Sequence, residues 1–424
     1  MKQLLFIVAL LWGIQGFSQV QQVNLTASGL TCSMCSKAIY KALTALPFVQ
    51  QVQPDIQHSS YAITFREHTQ PDFDAIANAV TGAGFSVAKL QATINFTGEQ
   101  VQNDTHLKVN NETFHFLHVS DRKLNGATTV TLVDRNFVTA KEYKKYSQYT
   151  TMKCYTTGMM ESCCSKKEAQ ELYVFTEPAS NMPAHSLSVK QTMKVLHDAS
   201  SEAINQRQST ELMFGLNKDW MVHASTTFSN MYSHAFQWES VRMYTKYRFL
   251  TRDDLYSHFR MAAFAEASYS RNVPHYDELS LEGDHKGVQA GVIATQLLHK
   301  LALSSSVSLI ENFQEGRGEK SVYSAQSYEG LNYSVSAGYL LFPRQYTNYN
   351  QINVNLYAEL LGQKSLDLNR SYLDVAPAIQ FIFNSQAKLN AGYRFQVNGN
   401  MYRMSNNSWL LSFEWLWLNA LKKK

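Results

Sequence analysis

The feature that most restricts this chain is a period-two alternation of apolar and polar residues, running from residue 185 almost to the C-terminus. In "VRMYTKYRF", Val241, Met243, Tyr247 and Phe249 share one face, and Arg242, Tyr244, Lys246 and Arg248 share the other. "INVNLYAEL" sets Ile352, Val354, Leu356, Ala358 and Leu360 against Asn353, Asn355, Tyr357 and Glu359. "LNAGYRFQV" keeps Asn390, Gly392, Arg394 and Gln396 on its polar side. Side chains of a strand point alternately to its two faces, so each segment reads as a strand with one apolar face. Alternation alone suits a soluble sandwich as well as a membrane barrel; the connections discriminate. Twelve strands are expected near 186–197, 211–217, 221–229, 240–250, 257–270, 286–298, 301–312, 329–342, 351–361, 372–383, 388–397 and 408–418. Short links such as "KDW", "TRDDLY", "HK", "PRQYTNYN" and "NSQA" alternate with long ones such as "RNVPHYDELSLEGDH" and "FQEGRGEKSVYSAQSY". Long loops at one end and tight turns at the other are the pattern of an antiparallel transmembrane β-barrel of the outer membrane, here spanning 185–424. Both ends of that segment then fall on the short-turn, periplasmic side.

Backbone chemistry supports the same expectation. In lipid every N–H and C=O must be paired, and a closed barrel leaves no edge. The last strand, "SWLLSFEWLWL", lines up Trp409, Leu411, Phe413, Trp415 and Trp417 on one face, suited to lipid and an aromatic girdle. The tail "NALKKK" departs from the usual barrel ending. Charged residues are only 17%, against about 25% in ordinary soluble domains, while Tyr and Phe number 23 each. A net charge of +4, scattered along the chain, argues against a nucleic-acid partner. Arg242, Lys246, Arg248, Arg260, Glu266, Glu359 and Arg394 are expected to fill or line the lumen, where pairing between them would plug the barrel. His223, His234, His258, His275, His285 and His299 lack ligand spacing and read as ordinary loop, girdle or lumen residues.

The N-terminus reads as a secretory signal peptide over residues 1–18: Lys2, an apolar run from Leu4 to Ile14, and Gly16-Phe17-Ser18 before the cleavage point. No other stretch is long and apolar enough for a membrane helix. Residues 19–94 read as an α+β, ferredoxin-like βαββαβ domain. Val23 and Leu25 alternate in a first strand; Ala38, Ile39, Ala42, Leu43 and Leu46 recur at helical spacing, and Pro47 stops that helix. "QQVQPDI" and "YAITF" make a strand pair. A second helix with Thr69 as cap and Pro71 in its first turn buries Phe73, Ile76, Ala77 and Val80 and ends at Gly82 and Gly84. "FSVAKLQATINF" is the last strand. Residues 95–180 read as a small β-rich connector, with "ETFHFLHV" and "ATTVTLV" separated by an Asn125-Gly126 turn.

Five cysteines, Cys32, Cys35, Cys154, Cys163 and Cys164, cannot all pair internally. "GLTCSMCSKAIYKAL" puts Cys32 and Cys35 at a strand-to-helix turn, where the positive helix end favours thiolates. Two convergent thiolates suit Cu(I) best, and Zn(II) or another soft metal if further ligands arrive. A disulfide or a thiol–disulfide exchange pair are the alternatives in an oxidising compartment. In "MKCYTTGMMESCC", Cys154, Cys163, Cys164, Met159 and Met160 form a second soft-ligand cluster; a loop-pinning disulfide is the equal alternative. No nucleophile elbow, P-loop, GxGxxG or HExxH is present, so no enzymatic activity is expected.

"GLTCSMC", followed by the βαββαβ order and the late "GAGF", resembles the heavy-metal-associated (HMA) domain of copper chaperones and metal-transporting ATPases. The resemblance implies a ferredoxin-like fold with Cys32 and Cys35 as metal ligands, and places Phe85 at the family's aromatic packing position beside the metal loop. Leu30 stands where that family usually has Met. No ATPase signature follows, so no pump is implied. The C-terminal region resembles barrel proteins of Bacteroidota-type outer membranes. The expected protein is therefore an outer-membrane barrel with periplasmic soft-metal-binding domains. It would serve heavy-metal binding, handling or transport, supplied by a periplasmic metal donor. The alternatives are a barrel-anchored metal scavenger and a thiol–disulfide exchange protein.

Overall fold

The computed structural model describes residues 20–28, 30, 33–109, 112–152, 155, 181–197, 204–233, 235–253, 257–272, 276–313 and 327–421. The chain divides into two compact units: Met1–Ala27, Tyr40–Val80 and Val87–Leu172 make one; Ser28–Ile39, Thr81–Ser86 and Tyr173–Lys424 make the other.

The N-terminal elements run β1 (Val20–Ser28), α1 (Ser33–Thr44), β2 (Val49–Asp55), β3 (Ser60–Phe65), α2 (Phe73–Gly82) and β4 (Ser86–Val101). Then come β5 (His106–Val109), β6 (Glu112–His115), β7 (Arg122–Leu132) and a short α3 (Ala140–Tyr146). One five-stranded sheet has the order β2-β3-β1-β4-β7, and β5 and β6 form a separate pair. The inward positions of the sheet carry Val23, Leu25, Ile63, Leu90 and Ile94, all without exposed surface, together with Ile76 and Val80 of α2. Burial of such side chains is worth roughly 1.5–3 kcal/mol each.

Three sequence expectations are corrected here. The cap of α2 is Asp72, whose carboxylate accepts the Ala75 N–H at 2.8 Å; Thr69 instead donates to the Arg66 carbonyl at 2.7 Å. The helix ends as expected at Gly84, whose φ of +98° is the left-handed closing residue. The break expected at residue 95 falls inside β4, which runs on to Val101 and pairs with β7. Asn125-Gly126 lies within β7, opposite Thr97 and Phe96, and makes no hairpin turn; the ladder instead slips at Gly98, between Thr97 and Glu99. The stretch beyond is partly helical: Thr139 caps α3 by accepting the Glu142 N–H at 3.3 Å.

In the second unit, twelve strands close on themselves: β8 (Ser186–His197), β9 (Ile204–Gly215), β10 (Trp220–Ser229), β11 (Gln237–Asp253), β12 (Ser257–Ser270), β13 (Gly287–Leu298), β14 (Leu301–Asn312), β15 (Glu329–Phe342), β16 (Asn353–Ser365), β17 (Ser371–Phe383), β18 (Ala387–Gly399) and β19 (Asn407–Trp417). Every neighbouring pair is antiparallel, and the ring is sealed where β19 meets β8, with Leu411 opposite Met193 and Trp415 opposite Val189. β9 begins earlier than the expected 211, because its first half, "INQRQST", is polar on both faces and carries little alternation.

The distribution of polarity separates a membrane barrel from a sandwich. Val241, Met243, Tyr247 and Phe249 are exposed, while Lys246 and Arg248, between them in sequence, are buried. On β19, Trp409 is 56% and Leu411 50% exposed, whereas Ser412 and Glu414 are 3% and 7% exposed. A soluble sheet would invert that pattern. The outer surface is apolar and aromatic and the interior is charged and hydrogen-bonded: this is an outer-membrane β-barrel.

Candidate functional site

Of the expected metal ligands, the structure describes Cys35. It is buried on the first turn of α1, where the unpaired N–H groups of a helix favour a thiolate. Cys32, Cys154, Met159, Met160, Cys163 and Cys164 lie outside the described residues. Among the described residues no group of three or more His, Cys, Asp or Glu side chains converges to hold a metal ion. Ser28–Ile39 belongs to the same compact unit as the barrel. Within that unit the Ser33 hydroxyl lies 2.9 Å from the Asn353 amide and 2.7 Å from the Ser385 hydroxyl. Met34 packs with Ile382 and Leu416.

The barrel interior carries the densest chemistry. Inside the barrel Arg242 of β11 lies 3.6 Å from Glu266 on the neighbouring β12 and reaches across β10 to within 3.5 Å of Glu211 on β9. Lys388 reaches Glu414 at 3.0 Å, and Glu414 also accepts the Ser188 hydroxyl at 3.1 Å. Gln380 links Asn355 and Asn390. Apart from the Arg242–Glu211 pair, which spans β10, these are side chains from adjacent strands, brought face to face by the ladder register. A cavity of about 320 Å³ beside them is lined by Lys190, Lys194, Arg242, Glu211 and Glu282, with Ser209 and Ser412 among its neutral walls.

Glu282 does not come from a strand. It belongs to the connection between β12 and β13, which sequence patterning assigns to a long external loop. Tyr276–His285 instead folds inward, with Tyr276, Asp277, Leu279, Leu281, Asp284 and His285 all buried. Its partners lie around the whole ring, so it crosses the barrel at the long-loop end. Asp284 receives Arg207 of β9 through two nitrogens, at 3.0 and 2.5 Å, and the hydroxyls of Tyr232 and Tyr276 at 2.8 Å each. Arg207 also donates to Glu239 of β11 at 3.0 Å. Glu282 pairs with Lys194 of β8. Glu278 accepts from Arg394 of β18 at 3.1 Å and from Arg403 at 2.9 Å. Both arginines also hold Asp374, and Arg403 lies 3.9 Å over the Tyr372 ring. Asp277 pairs with Arg370. Gln363 of β16 clamps the loop backbone at Leu279, accepting its N–H and donating to its carbonyl, both at 2.8 Å. Leu279 and Leu281 pack on Ile310 of β14.

Gly283 makes the inward turn feasible. Its φ is +94°, and a Cβ there would stand 2.5 Å from the Glu239 carboxylate and 2.9 Å from the Arg207 guanidinium. Burial works to raise the loop carboxylates' pKa values, but neighbouring cations outweigh it. Asp284 is held low by Arg207, Glu278 by Arg394 and Arg403, and Glu282 falls to about 2 beside Lys194 and Arg242. Burial keeps His285 below its ordinary value.

The sequence carried a signal for this loop. An exposed loop has no use for Leu279 and Leu281 on one side of four acidic residues. That amphipathic pattern is the mark of a segment with a wall to pack on.

No family model matches the chain, and no curated protein matches it. Several solved outer-membrane barrels are similar over about half of the chain. An outer-membrane channel from Pseudomonas putida F1 is 11% identical with a TM-score of 0.37, covering 55% of this chain and 95% of that one. The NanC porin is 9% identical with a TM-score of 0.35, covering 54% and 98%. The KdgM porin is 6% identical with a TM-score of 0.32, covering 54% and 98%. These scores are too low to define a shared fold; the barrel assignment stands on the strand ladder and the exposed apolar face.

Proposed function

We propose that the protein is an outer-membrane barrel carrying a ferredoxin-like, HMA-like domain that binds a soft metal ion, Cu(I), through Cys32 and Cys35. The observation that carries this reading is positional. In the sequence Cys32 falls between β1 and α1 of elements that follow in the order βαββαβ, with strands ordered β2-β3-β1-β4, and Cys35 sits on the helix's first turn. A thiolate pair at a helix N-terminus is a good donor set for a low-coordinate soft cation. The metal would be cargo, handed on or held in the periplasm. Cys154, Cys163, Cys164, Met159 and Met160 would form a second holding site.

The test is a Cu(I) titration of the full-length protein in detergent against a competing chelator. Tight binding lost in Cys32→Ser/Cys35→Ser supports the reading. Equal affinity in wild type and variant rejects it, and a measurable disulfide-exchange activity would then favour the redox alternative.

One observation favours the scavenger version over metal transport through the barrel: the inward loop crosses the long-loop end and is held there by ion pairs on several sides. A barrel that stays non-conducting in planar bilayers with and without copper is the expected result for an anchor. Copper-dependent conductance would show transport.

A further inference from the structure

The barrel wall around the cavity is more basic than the strands alone can neutralise. Lys190, Lys194 and Arg242 line it against Glu211, with Glu266 of β12 beside Arg242, and the loop's Glu282 supplies the third carboxylate. Just above, Arg207 is neutralised partly by Glu239 and partly by Asp284, again from the loop. Loops normally stay at the surface because buried polar groups must all be satisfied. This one buries its carboxylates and meets a cation at each. Without it, the partly buried Lys190, Lys194 and Arg242 would face the cavity with too few carboxylates to match them, and a counter-anion would be favoured there.

We propose that this cavity is a binding site for a small multivalent oxyanion, a polycarboxylate or a polyphosphate, and that Glu282 occupies it as an intramolecular stand-in. The two loop carboxylates nearest the cavity are unequal. The Asp284 side chain is 6% exposed and held by Arg207 and two tyrosines, whereas Glu282 is 20% exposed and held chiefly by the flexible end of Lys194, which is itself 27% exposed. Glu282 is therefore the carboxylate a competing anion displaces, while Asp284 keeps the loop tethered. The Ser209 hydroxyl, 3.3 Å from Glu282, and the Ser412 hydroxyl supply neutral donors for the incoming oxygens. The inference uses the barrel alone, so it stands or falls separately from copper binding.

The experiment is calorimetric titration of the full-length protein in detergent at low salt with pyrophosphate and with citrate. Folding of each variant is checked by heat-modifiable gel mobility. Glu282→Gln removes the competing charge and is expected to bind one or both anions about tenfold or more tightly than wild type, the scale of a lost charged hydrogen bond. Adding Lys194→Gln and Arg242→Gln to it is expected to abolish the gain. Preference for pyrophosphate or for citrate identifies phosphate or carboxylate chemistry. Affinity no higher in Glu282→Gln than in wild type overturns the proposal, as does binding that survives loss of Lys194 and Arg242. Should Glu282→Gln not fold, Glu282→Asp keeps the charge but shortens its reach; a smaller tightening is expected there, and none would overturn the proposal equally.

Discussion

Leu25 in the N-terminal sheet and Leu411 in the barrel both sit at alternating positions of antiparallel strands, yet Leu25 has no exposed surface and Leu411 has half of its own. The first sheet puts its apolar face against a helix and its own neighbours. The second turns that face outward and keeps lysine, arginine and glutamate inside. One period-two pattern thus serves two solvents. What differs is closure: an open five-stranded sheet has edges that require water, whereas a ring of twelve strands has none and can live in lipid. The source of cohesion changes accordingly, from apolar packing in the sheet to ion pairs and hydrogen bonds in the barrel interior.

The sharpest way to break this comparison is to remove an interior charge. Arg207→Met leaves Asp284 and Glu239 buried without their cation, and should cost about 3–5 kcal/mol. The readout is faster proteolysis of Tyr276–His285 and a lower urea midpoint in vesicles. An unchanged loop would show that the ion pairs are incidental. Next comes Leu25→Ala, expected to cost about 2–5 kcal/mol by opening a cavity in the sheet. Limited proteolysis of the N-terminal segment during a thermal ramp reports it. On the barrel exterior, Leu411→Arg should cost about 2–4 kcal/mol in vesicles, because the charge is placed in hydrocarbon. The same leucine truncated to alanine should cost only about 0.5 kcal/mol, since it loses lipid contact and leaves no cavity. A Leu411→Ala cost as large as that of Leu25→Ala would mean that the outer face is packed against protein.

The smallest effect is a pH dependence. Glu278, Glu282 and Asp284 are held below the ordinary carboxylate range by adjacent cations, Glu282 at about 2. A depressed carboxylate stabilises the folded loop fully above its ordinary value, about 4, and that contribution fades as pH falls through the depressed value. Hydrogen exchange at Tyr276–His285 should therefore keep full protection above about pH 7, lose a first part below about 6.5 through His285, and lose the carboxylates' part from about 4 toward about 2. His285, kept below its ordinary value by burial, takes up its proton first in the open loop, so its contribution fades as pH falls below about 6.5. Protection that rises as pH falls from about 7 to about 5 would contradict this assignment.

Much of this was legible in the residues. The outward tryptophans of β19 and the paired faces of β11 follow from alternation, and the barrel from the spacing of its links. Phe73, Ile76, Ala77 and Val80 are the buried face of α2, as their helical spacing implies. Three things were not legible, each for a physical reason. Asp72 outcompetes Thr69 as a cap because capping depends on which residue is adjacent to the first turn. Asn125-Gly126 looks like a hairpin turn locally, but β4 is long enough to pair straight through it. Leu279 and Leu281 signal that the loop packs on something, but its destination was hidden, because its partners, from Lys194 to Arg403, are spread over most of the barrel sequence and meet only when the ring closes. Cys35 lies on the first turn of α1, where its motif implies.

The most direct test of the inside-out barrel is tryptophan fluorescence of the full-length protein in vesicles of brominated against ordinary lipid. Trp409, Trp415 and Trp417 face outward. Strong quenching by brominated lipid, reduced stepwise as these three are changed to phenylalanine, is the predicted result. Emission equal in both lipids would place the apolar face against protein or water and contradict the account.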